Sequence, residues 1–249
     1  MGFCNGLIVM RVKAVITYDG SHFLGFQKQT STKQTITTAI EEALQSLQIP
    51  CSIIGSGRTD TGVHATGQVI HFDIPAYWHD LRKLTLNLNR KLHSIHVKHI
   101  SQVSDDFHAR FHAKKRVYRY IFKTKKPSVF EQDYISYYPT FDVEKLQVAL
   151  SYFVGEHDFE YFRKTGSQTH TTVRHVYEAQ YEARKGYHFI YFKANGFLRS
   201  QVRMMVEMSM QYAQDTCTLQ QLQEQLSVTQ KHSTKLAPPE GLYLARILY

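Results

Sequence analysis

Gly55-Ser56-Gly57-Arg58-Thr59-Asp60-Thr61-Gly62-Val63-His64-Ala65 stands between two strand-like runs, Cys51 to Ser56 and Gln68 to Asp73. It sets a guanidinium and a carboxylate two residues apart on a loop flanked by glycines, which let the backbone turn sharply and approach a partner closely. A cation this near a carboxylate fixes its orientation and favours its charged form. Taken alone, the segment reads equally well as a turn whose aspartate hydrogen-bonds its own backbone. A short Gly-x-Gly has little specificity.

Outward from the loop, strands and helices alternate. Met10 opens a strand-like run through Tyr18, closed by Asp19-Gly20. Residues 1–9 show little pattern and read as a tail or as an extension ahead of a start at Met10; the intact mass of the native protein tests this. Ile36, Ile40, Ala43, Leu44 and Leu47 recur at helical spacing, and Pro50 ends that helix. Leu81–Lys91 reads as a second helix and Ile95–Val103 as a strand. Beyond them, Lys115–Lys123 reads as a strand and Val143–Phe153 as a helix. Val173–Tyr181 with His188–Ala194 reads as a strand pair, and Leu198–Ala213 and Leu219–Leu226 as helices. Leu242–Ile247 closes the chain as a strand. The tight Tyr181 to Tyr187 spacing favours an antiparallel sheet. A boundary near Asp105 gives two α+β halves, 10–105 and 106–249.

The 249 residues are 43% hydrophobic, enough for a sizeable core, and the formal net charge of +9 points to a polyanionic partner. Between Arg110 and Lys126 stand Arg110, Lys114, Lys115, Arg116, Arg119, Lys123, Lys125 and Lys126, with no acidic residue. Phe111, Tyr118, Tyr120 and Phe122 are interleaved. Cations neutralise phosphates while rings stack on unpaired bases. The same pattern fits a strand edge protected by lysines. Cys4, Cys51 and Cys217 match no zinc spacing and read as free thiols. His93, His96 and His99, then His108 and His112, lack metal-site context, so no metal is expected. No secretory signal or membrane-spanning apolar run is evident, and a soluble cytoplasmic protein is expected.

Gly57-Arg58-Thr59-Asp60 followed by Gly62-Val63-His64-Ala65 resembles the catalytic motif of tRNA pseudouridine synthases of the TruA family. Tyr18-Asp19-Gly20 with Phe23, Gly25 and Gln27 is similar to the family's first-strand turn. Arg116, Tyr118 and Tyr120 match its Arg-x-Tyr-x-Tyr strand. Phe197-Leu198 with Gln201-Val202-Arg203 matches its third motif, and Ala237-Pro238-Pro239 with Gly241-Leu242 the segment before its last strand. These pieces lie in family order from about Arg11 to Tyr249. The resemblance implies an α+β pseudouridine synthase fold, in which two similar α/β halves share a mostly antiparallel sheet around a basic active-site cleft. It also implies isomerisation of uridine to pseudouridine at positions 38, 39 and 40 of the tRNA anticodon stem-loop, by a homodimer whose subunits share one tRNA.

That reaction breaks the C1′–N1 bond of uridine, turns the base and rejoins it through C5. It involves no net redox change, so no cofactor is implied. The target base must leave its stack, at a cost of a few kcal/mol. An aspartate is already ionised at neutral pH, and its difficulty is burial, which a fixed arginine offsets. By resemblance Asp60 is the catalytic carboxylate, acting as nucleophile or base. Arg203 is its paired arginine, and Arg58 helps hold the flipped state. Tyr118 packs on the target base, Leu198 walls the pocket, and Arg116 belongs to the substrate-binding strand.

The chain departs from the family pattern at Phe26, where tryptophan is usual, at Arg199-Ser200, and at Glu207, where glycine is usual. Glu207 lies four residues beyond Arg203 and is expected to compete with Asp60 for it. Two rival functions remain at this point. One is a tRNA-binding paralogue that helps RNA fold without catalysing. The other is a hydrolase that cleaves the glycosidic bond without rejoining it, although that chemistry usually calls for two spaced carboxyl groups.

Overall fold

The computed structural model describes residues 9–166 and 169–249; the expectation for residues 1–8 lies outside them. The chain divides into two compact α+β units, one running up to Ala113 and including Tyr249, the other Lys114–Leu248.

In the first unit, β1 (Val9–Tyr18) alternates cleanly, with Val12, Ala14, Ile16 and Tyr18 buried. Val9, read with the tail, already pairs with Pro75. Helix α1 (Ile36–Gln45) is capped by Thr35 and buries Ile36, Ile40, Ala43 and Leu44. The expected strand Cys51–Ser56 shrinks to β2 (Ile54–Gly55), because the Ile53 N–H is taken by Glu41 Oε1 of α1 at 2.9 Å. By contrast β3 runs longer than expected, His64–Pro75, and pairs antiparallel with β1 from Ala65 to Pro75. It therefore grows directly out of the glycine-flanked loop. Helix α2 (Leu81–Lys91) has Asp80 as N-cap and Arg90 and Lys91 in its last turn, the arrangement its dipole favours. Asn89 ties it to β4 (Ile95–Gln102), accepting from Val97 N–H at 2.8 Å and donating to Val97 O at 2.9 Å. The strand order in this unit is β4-β1-β3, with β2 on β3.

Residues 107–112 pack onto this unit. Arg11 Nη1 reaches the carbonyl of Phe107, Ala109 N–H meets His71 Nδ1 at 3.1 Å, and Tyr249 donates to Ala109 O at 2.8 Å.

The second unit comprises β5 (Lys115–Lys123), β6 (Ser136–Tyr137), α3 (Val143–Tyr152), β7 (Gly155–Asp158), β8 (Val173–Arg184), β9 (Tyr187–Ala194), α4 (Gln201–Ala213), α5 (Leu219–Leu226) and β10 (Leu242–Leu248). Its strand order is β10-β5-β9-β8-β7. Taking β5, α3, β8, β9, α4 and β10 in turn, this is a β-α-β-β-α-β unit with the ferredoxin-like order 4-1-3-2. Its pairings are antiparallel apart from β5 with β6. Phe153, the C-cap of α3, meets Phe192 of β9 at 6.4 Å, so the helices cover the face holding Tyr118, Tyr120, Phe122 and Phe192. Tyr120 and Phe122 are fully buried there. They are core residues rather than the base-stacking rings their place among cations suggested. Helix α4 buries Val202, Met204, Met205, Val206, Met208 and Met210, the flexible methionines filling irregular gaps.

Candidate active site

The loop that holds Asp60 is clasped by the turn after β1. Thr59 is buried, and its hydroxyl lies 2.8 Å from that of Tyr18. Phe26 N–H donates to Thr59 O at 3.1 Å. A Cβ on Gly25, whose φ is +105°, would stand 3.2 Å from that same carbonyl. Gly20 is closer still: a Cβ there would fall 2.1 Å from Val63 O. The Gly20 N–H donates to His64 Nδ1 at 3.0 Å. At the other end Gln68 holds the loop, accepting from Ser56 Oγ and donating to Gly57 O, both at 2.8 Å. Val63 N–H returns to Asp60 O at 3.1 Å, closing the turn.

Along this clasped backbone, side chains alternate. Arg58 is exposed, Thr59 points inward, and Asp60 is half-buried. A carboxylate and a guanidinium are thus presented on either side of an anchored residue. Their sequence spacing pointed to this. The clasp comes from Tyr18, Gly20 and Gly25 of the first-strand turn, which spacing within the loop does not reveal. Phe26 sits buried with its ring 6.3 Å from Tyr18, filling the place where the pattern has tryptophan.

The second unit gathers the other proposed residues around the entry to α4. Tyr118 pairs in register with Phe192 and Leu244. Its ring meets Phe197 edge-on at 5.2 Å. Leu198 is buried, and its N–H donates to Gln201 Oε1 at 2.8 Å. Ser200 adopts a left-handed conformation, φ 59°, where the chain enters the helix. Arg116 Nη1 donates to Asn195 O at 2.7 Å.

Arg203 is half-buried and exchanges bonds with Ala237. Its Nε donates to Ala237 O at 2.7 Å, and Ala237 N–H donates to Arg203 O at 3.1 Å. The next carbonyl, Pro238 O, lies 3.1 Å from the Tyr120 hydroxyl, which also meets Ser136 Oγ at 2.8 Å. The Ala237-Pro238-Pro239 segment thereby fixes the arginine, a role its sequence did not disclose.

Glu207 does not engage Arg203. Its carboxylate accepts from the Tyr138 hydroxyl and from Gln211 Nε2, each at 3.1 Å. Gln211 also reaches Ser233 Oγ at 3.3 Å. The expected competition is therefore corrected: a nearby phenol and amide satisfy Glu207 on its own flank of the helix. Burial pushes the Tyr138 and Tyr120 phenols well above the ordinary tyrosine range, so Tyr138 acts as a protonated donor.

Among the described residues no three His, Cys, Asp or Glu side chains gather to hold a metal ion. No helix among them is long and apolar enough to cross a membrane.

The family model described as tRNA pseudouridine synthase matches residues 14–112 and 149–249. The tRNA pseudouridine synthase A of Campylobacter jejuni strain RM1221 is 39% identical over 96% of this chain and 100% of its own length. That of Helicobacter hepaticus is 40% identical over 95% of this chain and 98% of its own length. The Lactococcus lactis protein of the same name is 39% identical over 96% and 97%. These matches span both the clasped Asp60 loop and the Arg203 helix, and the chain belongs to the tRNA pseudouridine synthase family.

Proposed function

We propose that this protein isomerises uridine to pseudouridine in tRNA, at positions 38–40 of the anticodon stem-loop, with Asp60 as the catalytic carboxylate. The observation that supports this most is the presentation of Arg58 and Asp60 on either side of buried Thr59, on a backbone held at both ends. Catalysis of this kind depends on holding a reacting group in place without reorganisation.

The chemistry balances without a cofactor. The C1′–N1 bond breaks, the base rotates, a C1′–C5 bond forms, and the proton on C5 is lost to a base while N1 regains one. In this reading Asp60 acts as nucleophile or base. Arg203, held by Ala237, supplies the positive charge for it, and Arg58 stabilises the flipped nucleotide. Tyr118 packs on the target base, Leu198 forms an apolar wall, and Arg116 contributes to substrate binding. The protein works in the cytoplasm as a homodimer, with one tRNA touching both subunits.

Release of tritium from tRNA labelled with [5-³H]uridine tests the assignment. Wild type should release it, with pseudouridine mapped to positions 38–40, whereas Asp60→Ala should bind tRNA without turnover. Comparable release by Asp60→Ala would refute the role of Asp60. Free uracil in place of pseudouridine would refute the isomerase.

A further inference from the structure

Helix α5 turns a stripe of Leu222, Gln225 and Leu226 inward, and Gln225 stands there where an apolar residue is the rule. Gln220, Gln221 and Gln223 of the same helix are not buried. Gln225 is 1% exposed. An amide so placed must satisfy its hydrogen bonds inside the protein or carry the full cost of desolvation.

It satisfies them on backbone. Its Oε1 accepts from His232 N–H at 2.9 Å and from Ser233 N–H at 2.8 Å. Its Nε2 donates to Ser233 O at 3.1 Å and to Tyr161 O at 3.2 Å. A primary amide has two donor hydrogens and two acceptor lone pairs, and each is engaged. The carboxamide thus grips Ser233 by both its N–H and its carbonyl.

What it grips is a strap, residues 229–238, that forms neither helix nor strand. The far part of this strap is Ala237, fully buried, whose carbonyl accepts from Arg203 Nε and whose N–H donates to Arg203 O. Only Thr234, Lys235 and Leu236 lie between Ser233 and Ala237. A chain reaches about 3.5 Å per residue, so fixing Ser233 confines Ala237. Thr234 and Lys235 are exposed, and core packing does not hold them. The remaining bond of Gln225 leads back to the same helix: beyond Tyr161, Lys164 N–H donates to Arg199 O at 3.1 Å, at the entry to α4. The strap is therefore gauged against the helix that bears Arg203.

We infer that Gln225 is a positioning residue for the reaction: its buried carboxamide sets the strap, the strap sets the Ala237 carbonyl, and that carbonyl aims Arg203. The inference rests on the role proposed above for Arg203 and names what keeps that arginine in place. Gln225 acts only through Arg203 and touches no reacting atom.

Three measurements test it: single-turnover tritium release from [5-³H]uridine-labelled tRNA, retention of tRNA on nitrocellulose, and the ¹⁵N–¹H signal of Arg203 Nε in arginine-labelled protein. Circular dichroism melts check folding. Gln225→Leu should release tritium about tenfold more slowly with tRNA retention unchanged, and its Arg203 Nε–H should exchange with solvent about tenfold faster. A single glycine inserted between Thr234 and Lys235 leaves the partners of Gln225 and Arg203 in the chain, and lengthening an exposed loop costs little stability. It should show the same slow release and fast exchange, even where Gln225→Leu fails to fold. In an Arg203→Met background, which lacks the Nε that Ala237 holds, Gln225→Leu should slow release no further. Wild-type release and exchange in the Gln225→Leu and insertion proteins, with Arg203→Met slow, would overturn the inference and leave the role of Arg203 standing. Equal slowing by Gln225→Leu in both backgrounds would make Gln225 a stability residue and overturn it as well. Wild-type release by Arg203→Met would overturn the role of Arg203 and the inference with it.

Discussion

His71 should make this protein acid-sensitive in a defined window. It lies on β3 with its side chain buried, 4% exposed. Its Nδ1 accepts from Ala109 N–H at 3.1 Å, and the His108 ring centre is 4.9 Å away. Burial first, then the nearby charges of His108 and Arg11, lower its pKa to about 4. In an unfolded chain a histidine titrates near about 6.5. The unfolded state therefore binds more protons between these values, and stability falls as pH drops through the window. At about 1.36 kcal/mol per unit, the full loss is about 3 kcal/mol by pH 4, of which about 2 kcal/mol falls between pH 7 and pH 5. Burial lowers the pKa of His108 too, which adds in the same direction. The Arg11–Asp73 pair acts elsewhere: Arg11 depresses the Asp73 pKa, so its contribution is lost only at still lower pH. Urea unfolding at pH 7 and pH 5 measures the difference. His71→Asn keeps an oxygen acceptor for Ala109 N–H and cannot titrate, so it should lose about 2 kcal/mol less than wild type between the two conditions. Equal losses in the two proteins would refute the assignment.

Other expectations follow from the clasp and the helix. Gly20→Ala would push a Cβ against Val63 O and should cost about 3 kcal/mol in urea melts, with tritium release falling too. Tyr18→Phe and Thr59→Val should show a coupling of about 1 kcal/mol in a double-mutant cycle, because either change alone breaks the same hydroxyl contact; strict additivity would mean that contact contributes nothing. Glu207→Gly removes the acceptor of Tyr138 and Gln211 and adds a glycine inside α4. It should cost about 2 kcal/mol of stability while single-turnover rates on tRNA stay at the wild-type value.

Much of the secondary structure is legible because local pattern and tertiary demand agree. Leu81–Lys91 follows a capping aspartate and ends in two cations, and Lys115–Lys123 alternates without interruption, so both elements appear at their expected bounds. Where a long-range partner decides, the reading stops. Cys51–Ser56 has strand-like composition, but Glu41 takes the backbone donor of Ile53 and leaves a two-residue strand. Gly155–Asp158 has no alternation and is a strand only because β8 pairs with it. The alternation that reveals β5 cannot say which face the helices will cover. Cations interleaved with rings therefore looked like one RNA-facing strip, whereas the fold sends Tyr120 and Phe122 to the core and leaves Arg119 on the open face.

The same limit separates the groups proposed to react from what holds them. Arg58 and Asp60 are visible in the chain because their chemistry and spacing are local. What holds the proposed pair is Thr59, the motif residue between them, whose burial anchors the backbone that carries both. A loop free to rotate would average the carboxylate over many positions and forfeit much of the gain from a preorganised group. Here rotation is blocked on one side by Tyr18, Gly20 and Phe26 and on the other by Gln68. Gly20 is there because any side chain would collide with the loop backbone, and Gly25 because its φ of +105° strains any residue with a side chain. Arg203 is treated alike, with its Nε held by the carbonyl of Ala237 rather than left to swing from α4. In each unit the group proposed to act is kept in register by backbone from a distant part of the chain, which is why the matching motifs are scattered from Tyr18 to Leu242 and not gathered around Asp60 alone.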